Sequence, residues 1–192
     1  MIRLIVGLGN PGSQYQKTRH NAGVWFLDGL LSSHPVSLRP EAKFLGAYAK
    51  INLHQHDTHL LMPTTFMNRS GQSVSALMKF LKLSPSQLLV VHDELDLPAG
   101  AIKLKEGGGH AGHNGLRDII SALGTSDFLR LRIGIGRPTT KEDVANYVLH
   151  APGQEDMRSI RLCIDHALGV LPELLNGHIH QAIQKLHSGF RN

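Results

Sequence analysis

Three polar clusters in this 192-residue chain hold the residue types of acid–base chemistry but no nucleophile. His20 closes the polar run of Tyr15, Lys17, Thr18 and Arg19; His92-Asp93-Glu94-Leu95-Asp96 supplies carboxylates; asparagines stand at Asn10, Asn68 and Asn114. A carboxylate bonded to one imidazole nitrogen fixes the tautomer and stabilises the protonated ring, which leaves the other nitrogen to take a proton from water. Asparagine amides can donate to a carbonyl oxygen or to the oxyanion it becomes, and losing one such donor costs roughly 10²–10³ in rate. There is no Gly-x-Ser-x-Gly elbow, and the single cysteine, Cys163, falls in a helical pattern with Ile160, Leu162, Ile164 and Leu168, where a free cysteine is a small buried hydrophobe. The set predicts general-base hydrolysis of an acyl compound by water, with His20 as base and Asp93, the first acid of its cluster, as partner.

Other chemistries find less support. His54-Gln55-His56-Asp57-Thr58 reads as the exposed tip of a hairpin, and His110 with His113 lacks a third ligand in spacing, so no metal and no organic cofactor are expected. Gly7-x-Gly9-x-x-Gly12 satisfies the dinucleotide pattern, but Pro11-Gly12-Ser13 leads into loop-like residues, and Asp28, the acid nearest the required distance, lies inside a helical pattern.

Positioning these groups requires strands that end on one edge. Ile2, Leu4, Ile5 and Val6 form a buried strand stopping at Gly7, and Leu88 to Val91 is the clearest buried strand, running directly into Asp93. Pro11 fixes the turn that presents Asn10. Helices follow over Val24 to Leu31, beyond Gly71 with Val74, Leu77, Met78, Phe80 and Leu81 on the apolar side, and through Leu116, Ile119, Ile120 and Leu123. Asn68, on its own residues, reads first as a cap for the second of these. Ala47 to Leu53 and His59 to Met62 read as hairpin strands, Ala101 to Lys105 as a strand with Lys103 and Lys105 on one face, and Leu129 to Gly136 as a strand with Arg130 and Arg132 on one face. Gly107-Gly108-Gly109 suits an anion-binding or mobile loop. The remainder, Val144 to Leu149 and Met157 to Leu186, is helical with breaks at Pro152-Gly153 and Asn176-Gly177. The expected fold is a single α/β domain over residues 1–192, a mixed, mostly parallel twisted sheet flanked by helices.

Composition agrees with a folded chain: 41% hydrophobic and 18% charged residues exclude disorder as the default. No apolar run approaches the roughly 20 residues of a membrane span, and the N-terminal run is too short for a signal peptide, so the expected location is the cytoplasm with no membrane contact. A net charge of +5 suits a polyanionic partner.

Gly7-Leu-Gly-Asn-Pro-Gly12, Thr18-Arg-His-Asn-Ala-Gly23, Phe66-Met-Asn-Arg-Ser-Gly71, His92-Asp-Glu-Leu-Asp96 and Gly112-His-Asn-Gly115 together resemble the signature segments of bacterial-type peptidyl-tRNA hydrolases, in that family's order and from end to end. Ala111 departs from an expected glycine. The resemblance implies cleavage of the ester between a peptide and the 3′ ribose of tRNA, which recycles tRNA from aborted translation. It implies His20 as base, Asp93 as its steadying carboxylate, and Asn10 as the residue separating blocked from unblocked aminoacyl-tRNA. Asn68 and Asn114 would bind substrate and place water. Tyr15, Phe66 and His113 would line the substrate cleft, with Met67 among the binding positions. Lys103, Lys105 and Arg132 resemble the basic set that meets acceptor-stem phosphates, the alternative being a solvated charged face. The implied partner is peptidyl-tRNA through its acceptor stem, 3′ CCA end and nascent peptide, with no obligatory protein partner. A non-catalytic RNA-binding module on the same fold is the competing reading.

Overall fold

In the computed structural model, which describes residues 1–138 and 143–188, the first apolar run becomes the middle of a seven-stranded sheet. The strands are β1 (Leu4–Gly7), β2 (Arg39–Glu41), β3 (Gly46–Leu53), β4 (His56–Pro63), β5 (Leu88–Glu94), β6 (Ile102–Glu106) and β7 (Leu129–Gly134), in the order β2-β3-β4-β1-β5-β7-β6. The inner four, β4, β1, β5 and β7, run parallel, while β3 joins β4, β2 joins β3 and β6 joins β7 antiparallel.

Continuous apolar runs in β1 and β5 follow from burial on both faces. Ile5, Leu89 and Val91 face a core shared with α1 (Ala22–Leu31), α5 (Gln154–Leu168), α6 (Leu171–Leu175) and α7 (Ile179–Ser188). Leu4, Val6, Leu88 and Val90 face the other core, under α2 (Ser70–Leu81) and α3 (Asn114–Leu123). Alternation by one residue sends neighbouring side chains to opposite faces, so both must be apolar. A short helix, α4 (Val144–Val148), completes the described set. No helix among the described residues is long and apolar enough to cross a membrane.

Several expectations are corrected. The hairpin tip narrows to His54 and Gln55, both left-handed (φ 48° and 69°), and His56, Asp57 and Thr58 pair within β4. Two consecutive left-handed residues match the twist of a tight hairpin, which explains so short a turn. Phe80 is 62% exposed and lies off the buried side of α2, its ring tilted against Phe44 at 5.3 Å. The C-terminal helical stretch breaks once more, at Gly169-Val170 between α5 and α6. The direction of β6, which the residues leave open, is antiparallel, so it ends beside Leu129, at the opposite edge from Asp93. The glycine-rich segment must therefore travel back along the sheet to deliver His113 and Asn114.

The seat of α1 decides where His20 lands. A Cβ on Gly23 would come within 2.3 Å of the Val91 carbonyl oxygen and 2.4 Å of Leu8 N, both backbone atoms. Gly23→Ala must then lift the helix start from β1 and β5. We expect a loss of about 3 kcal/mol, roughly 6–12 °C in Tm, read by thermal denaturation. An unchanged Tm would show that this close approach is dispensable.

Candidate active site

His20 lies in a 3-10 turn, Arg19–Asn21, between the loop after β1 and α1. Its Nδ1 is 2.8 Å from Asp93 Oδ1, near the end of β5, and His20 and Asp93 are 8% and 3% exposed. An imidazole N–H donating to the carboxylate leaves Nε2 unprotonated, the atom a base needs. Burial alone would depress His20, yet the adjacent Asp93 charge and its hydrogen bond outweigh that, and the ring is raised above its ordinary value. Burial works to raise Asp93, but the two neighbouring imidazoles and their hydrogen bonds hold its carboxyl well below the usual carboxylate range. Asp93 is thus a carboxylate throughout the working pH range.

A second histidine shares that carboxylate. His113 Nε2 lies 2.9 Å from the same Asp93 Oδ1. Its Nδ1 caps α3, accepting from Gly115 N at 3.1 Å and Leu116 N at 3.2 Å. An accepting Nδ1 requires the hydrogen on Nε2, so His113 donates to Asp93. Behind it, His92 is buried and gives its Nδ1–H to Asp93 O at 2.7 Å, and burial pushes its ring down to about 3.

His20, Asp93, His113 and Asn114 line one cleft of about 310 Å³ together with Glu94, Leu95, His110 and the α4 residues Val144, Ala145 and Val148. Asn114 is exposed there as the first residue of α3. Asn10 is not among the residues lining that cleft. Its Oδ1 accepts from Met67 N at 2.8 Å, and its backbone is held by Asn21, which accepts from Asn10 N at 2.9 Å and donates to Asn10 O at 3.0 Å. The Oδ1 being occupied, the amide N–H₂ is what Asn10 offers. Asn68 is exposed in the 3-10 turn Met67–Arg69 and makes no cap for α2: with the turn preceding the helix, Arg69 holds the cap position. Met67 is buried, so close to α3 that a Cβ on Gly115 would reach its sulfur at 2.6 Å. Phe66, 58% exposed, and Tyr15, half-buried, lie outside the lining of the His20 cleft. Asn10 lines instead a larger cavity of about 750 Å³, with Lys17, Trp25, Asp28 and Arg161 but neither His20 nor Asp93.

The basic residues divide. Lys103 and Lys105 are exposed on β6, with Lys103 paired across the ladder to Arg132 and Lys105 to Arg130. Arg132 gives its Nε–H to Glu94 at 2.9 Å, so it borders the cleft through an ion pair. Arg130, 2% exposed, donates instead to the carbonyls of Gly108 and Gly109 and holds the returning glycine segment.

The residues alone do not reveal the roles of Asn21 and Arg19, nor that His113, expected only to line the cleft, bonds Asp93. Asn21 locks the Asn10 turn; Arg19 donates to the carbonyls of Tyr147, His150 and Ala151, each at 3.2 Å, and ties the cleft wall to the turn carrying His20; His113 bonds Asp93. Only the glycine run ahead of His113 hinted at an unusual path. His20, Asp93 and His113 also place three ligand-type atoms within 4.8 Å of one another. The three are joined by hydrogen bonds, His20 Nδ1 and His113 Nε2 each to Asp93 Oδ1.

A family model described as peptidyl-tRNA hydrolase matches residues 4–192. The chain is 55% identical over 187 residues to the peptidyl-tRNA hydrolase of Methylobacillus flagellatus, covering 97% of each. It is 52% identical over 188 residues to that of Chromohalobacter salexigens, again covering 97% of each. The crystal structure of peptidyl-tRNA hydrolase from Acinetobacter baumannii superposes with a TM-score of 0.94 at 48% identity, covering 96% of this chain and 94% of that one.

Proposed function

The chain belongs to the peptidyl-tRNA hydrolase family, and on that premise we propose that His20, steadied by Asp93, is the general base with which it hydrolyses peptidyl-tRNA. The reading rests on one observation above all: His20 Nδ1 donates to a buried carboxylate at 2.8 Å, which frees Nε2 for the cleft. Nε2 removes a proton from water as the water oxygen bonds to the ester carbonyl carbon. The carbonyl oxygen takes the negative charge and is met by amide donors at Asn10, Asn68 or Asn114. Collapse breaks the bond to the ribose 3′ oxygen, which recovers the proton from the imidazolium, and the peptide leaves as a carboxylic acid.

Selectivity follows from the same donors. A peptide bond offers a carbonyl to the Asn10 amide, whereas a free α-ammonium would shed water to meet the same N–H donor. We assign the acceptor stem and the 3′ CCA end to the surface running from Lys103 and Lys105 to the cleft, with residues 1–192 acting as one unit. The cytoplasm, where the ribosome leaves its peptidyl-tRNA, is the location this substrate calls for.

Phosphate contacts position the tRNA and read no sequence. Lys105→Ala is expected to lower tRNA affinity similarly across tRNA species and to reduce the slope of log K against log salt by about one. An unchanged slope would return Lys105 to an ordinary solvated face. For catalysis the test is release of N-acyl amino acid from N-acyl-aminoacyl-tRNA by the wild type and by His20→Ala. Release by the wild type alone supports the reading, and bound tRNA without release by either would be the behaviour of an RNA-binding module.

A further inference from the structure

We propose that His113 is a positioning residue for the reaction: its Nε2–H, fixed as a donor by the cap its Nδ1 makes on α3, shares Asp93 Oδ1 with His20 and so limits how strongly the carboxylate holds a proton on His20. The inference rests on the general-base reading of His20 and adds to it a device that sets the pH at which the base becomes free.

The geometry leaves His113 little choice. Gly115 N and Leu116 N both point at Nδ1, at 3.1 and 3.2 Å, so that nitrogen must be the acceptor and Nε2 must carry the hydrogen. Nε2 then reaches Asp93 Oδ1 at 2.9 Å, the oxygen that His20 reaches at 2.8 Å. The rings of His20 and His113 stand 5.0 Å apart, and His92 meets His113 edge-on, also at 5.0 Å. Gly115 is part of the arrangement, since a Cβ there would lie 3.1 Å from His113 Cε1.

A neutral N–H directed at a carboxylate oxygen offsets part of the negative charge that a second partner feels. With His113 in place, His20 is held less tightly in its protonated form than Asp93 alone would hold it, and the base is available nearer neutral pH. The other groups around the pair leave this role to His113. His92 gives its hydrogen to a backbone carbonyl, Glu94 is engaged by Arg132, Arg130 and Arg19 donate to carbonyls, His110 Nδ1 accepts from Gly112 N, and α4 contributes only apolar Val144, Ala145 and Val148 to the cleft.

Two substitutions separate the cap from the donor. Asparagine is a good helix cap and keeps an acceptor near the Nδ1 position, but it is too short to reach Asp93. Glutamine places an N–H near the Nε2 position and gives up the cap. The expected result is that His113→Asn moves the acid limb of the kcat/KM profile up by about half to one pH unit with little change in Tm. His113→Gln is expected to lower Tm while leaving the limb close to the wild-type position. A His113→Asn limb that coincides with the wild type overturns the proposal. Failure of the general-base reading looks different, because the wild type would then show no acid limb for either variant to move.

Discussion

His20→Ala is expected to reduce release of N-acyl amino acid from N-acyl-aminoacyl-tRNA by at least about 10³-fold while tRNA affinity stays within about twofold of the wild type. A positioned general base contributes roughly 10²–10⁴ in rate, and among the described residues lining the cleft His20 is the imidazole whose Nε2 is left to accept, since His110 and His113 both accept at Nδ1. The phosphate-binding candidates are Lys103 and Lys105 on the exposed face of β6 and Arg132 on β7, none of them bonded to His20, so removing the ring leaves them in place. Single-turnover release and filter binding on the same preparation separate the two quantities. Affinity falling as far as activity would assign His20 to substrate binding and remove it as the base.

Asp93→Asn should lower the rate by roughly 10²–10⁴, because an amide cannot enforce the tautomer that leaves Nε2 bare. Its pH profile carries a sign that a general loss of structure would not produce. In the wild type the Asp93 charge and hydrogen bond raise His20 against the depressing effect of burial. The protonated, inactive ring therefore persists to a pH above its ordinary value of 6.5, and activity is gained as pH rises through the raised value. With the carboxylate neutralised only burial remains, so the acid limb of the residual activity should move to lower pH. A residual limb at the wild-type position would exclude Asp93 as the group acting on His20.

The parts of the site that local sequence carries were legible, and those that the return path of the chain creates were not. β1 and β5 announce themselves because strands buried on both faces must be apolar throughout, and Asp93 directly after such a run can only be at the ligand-binding edge. The His20–Asp93 pair follows from that placement. The bond from His113 to Asp93 does not, because β6 runs antiparallel and the glycine segment must recross the sheet before His113 arrives. Nothing in the residues reveals the direction of an edge strand. Arg130 and Arg132 share an alternation pattern that suggests one basic face, yet Arg130 is buried under the carbonyls of Gly108 and Gly109 while Arg132 pairs with Glu94. Asn68 resembles a helix cap because asparagine so often is one; the 3-10 turn ahead of α2 moves the cap position to Arg69 and leaves the amide exposed. Asn21 and Arg19 escape notice for the same reason, since their partners at Asn10 and at Tyr147 to Ala151 are set by tertiary packing.

The central claim is that water is activated by His20 and not by an ion held among His20, Asp93 and His113. The most direct measurement is the rate of N-acyl amino acid release by the wild type after exhaustive chelation, with and without added divalent metal. Chelation also strips Mg²⁺ from the tRNA, so tRNA binding is followed in the same samples. The account predicts an undiminished rate under chelator, unchanged by transition metal added back. Release that disappears under chelator while tRNA remains bound, and returns with zinc or manganese, would contradict it and make the same three side chains a metal site.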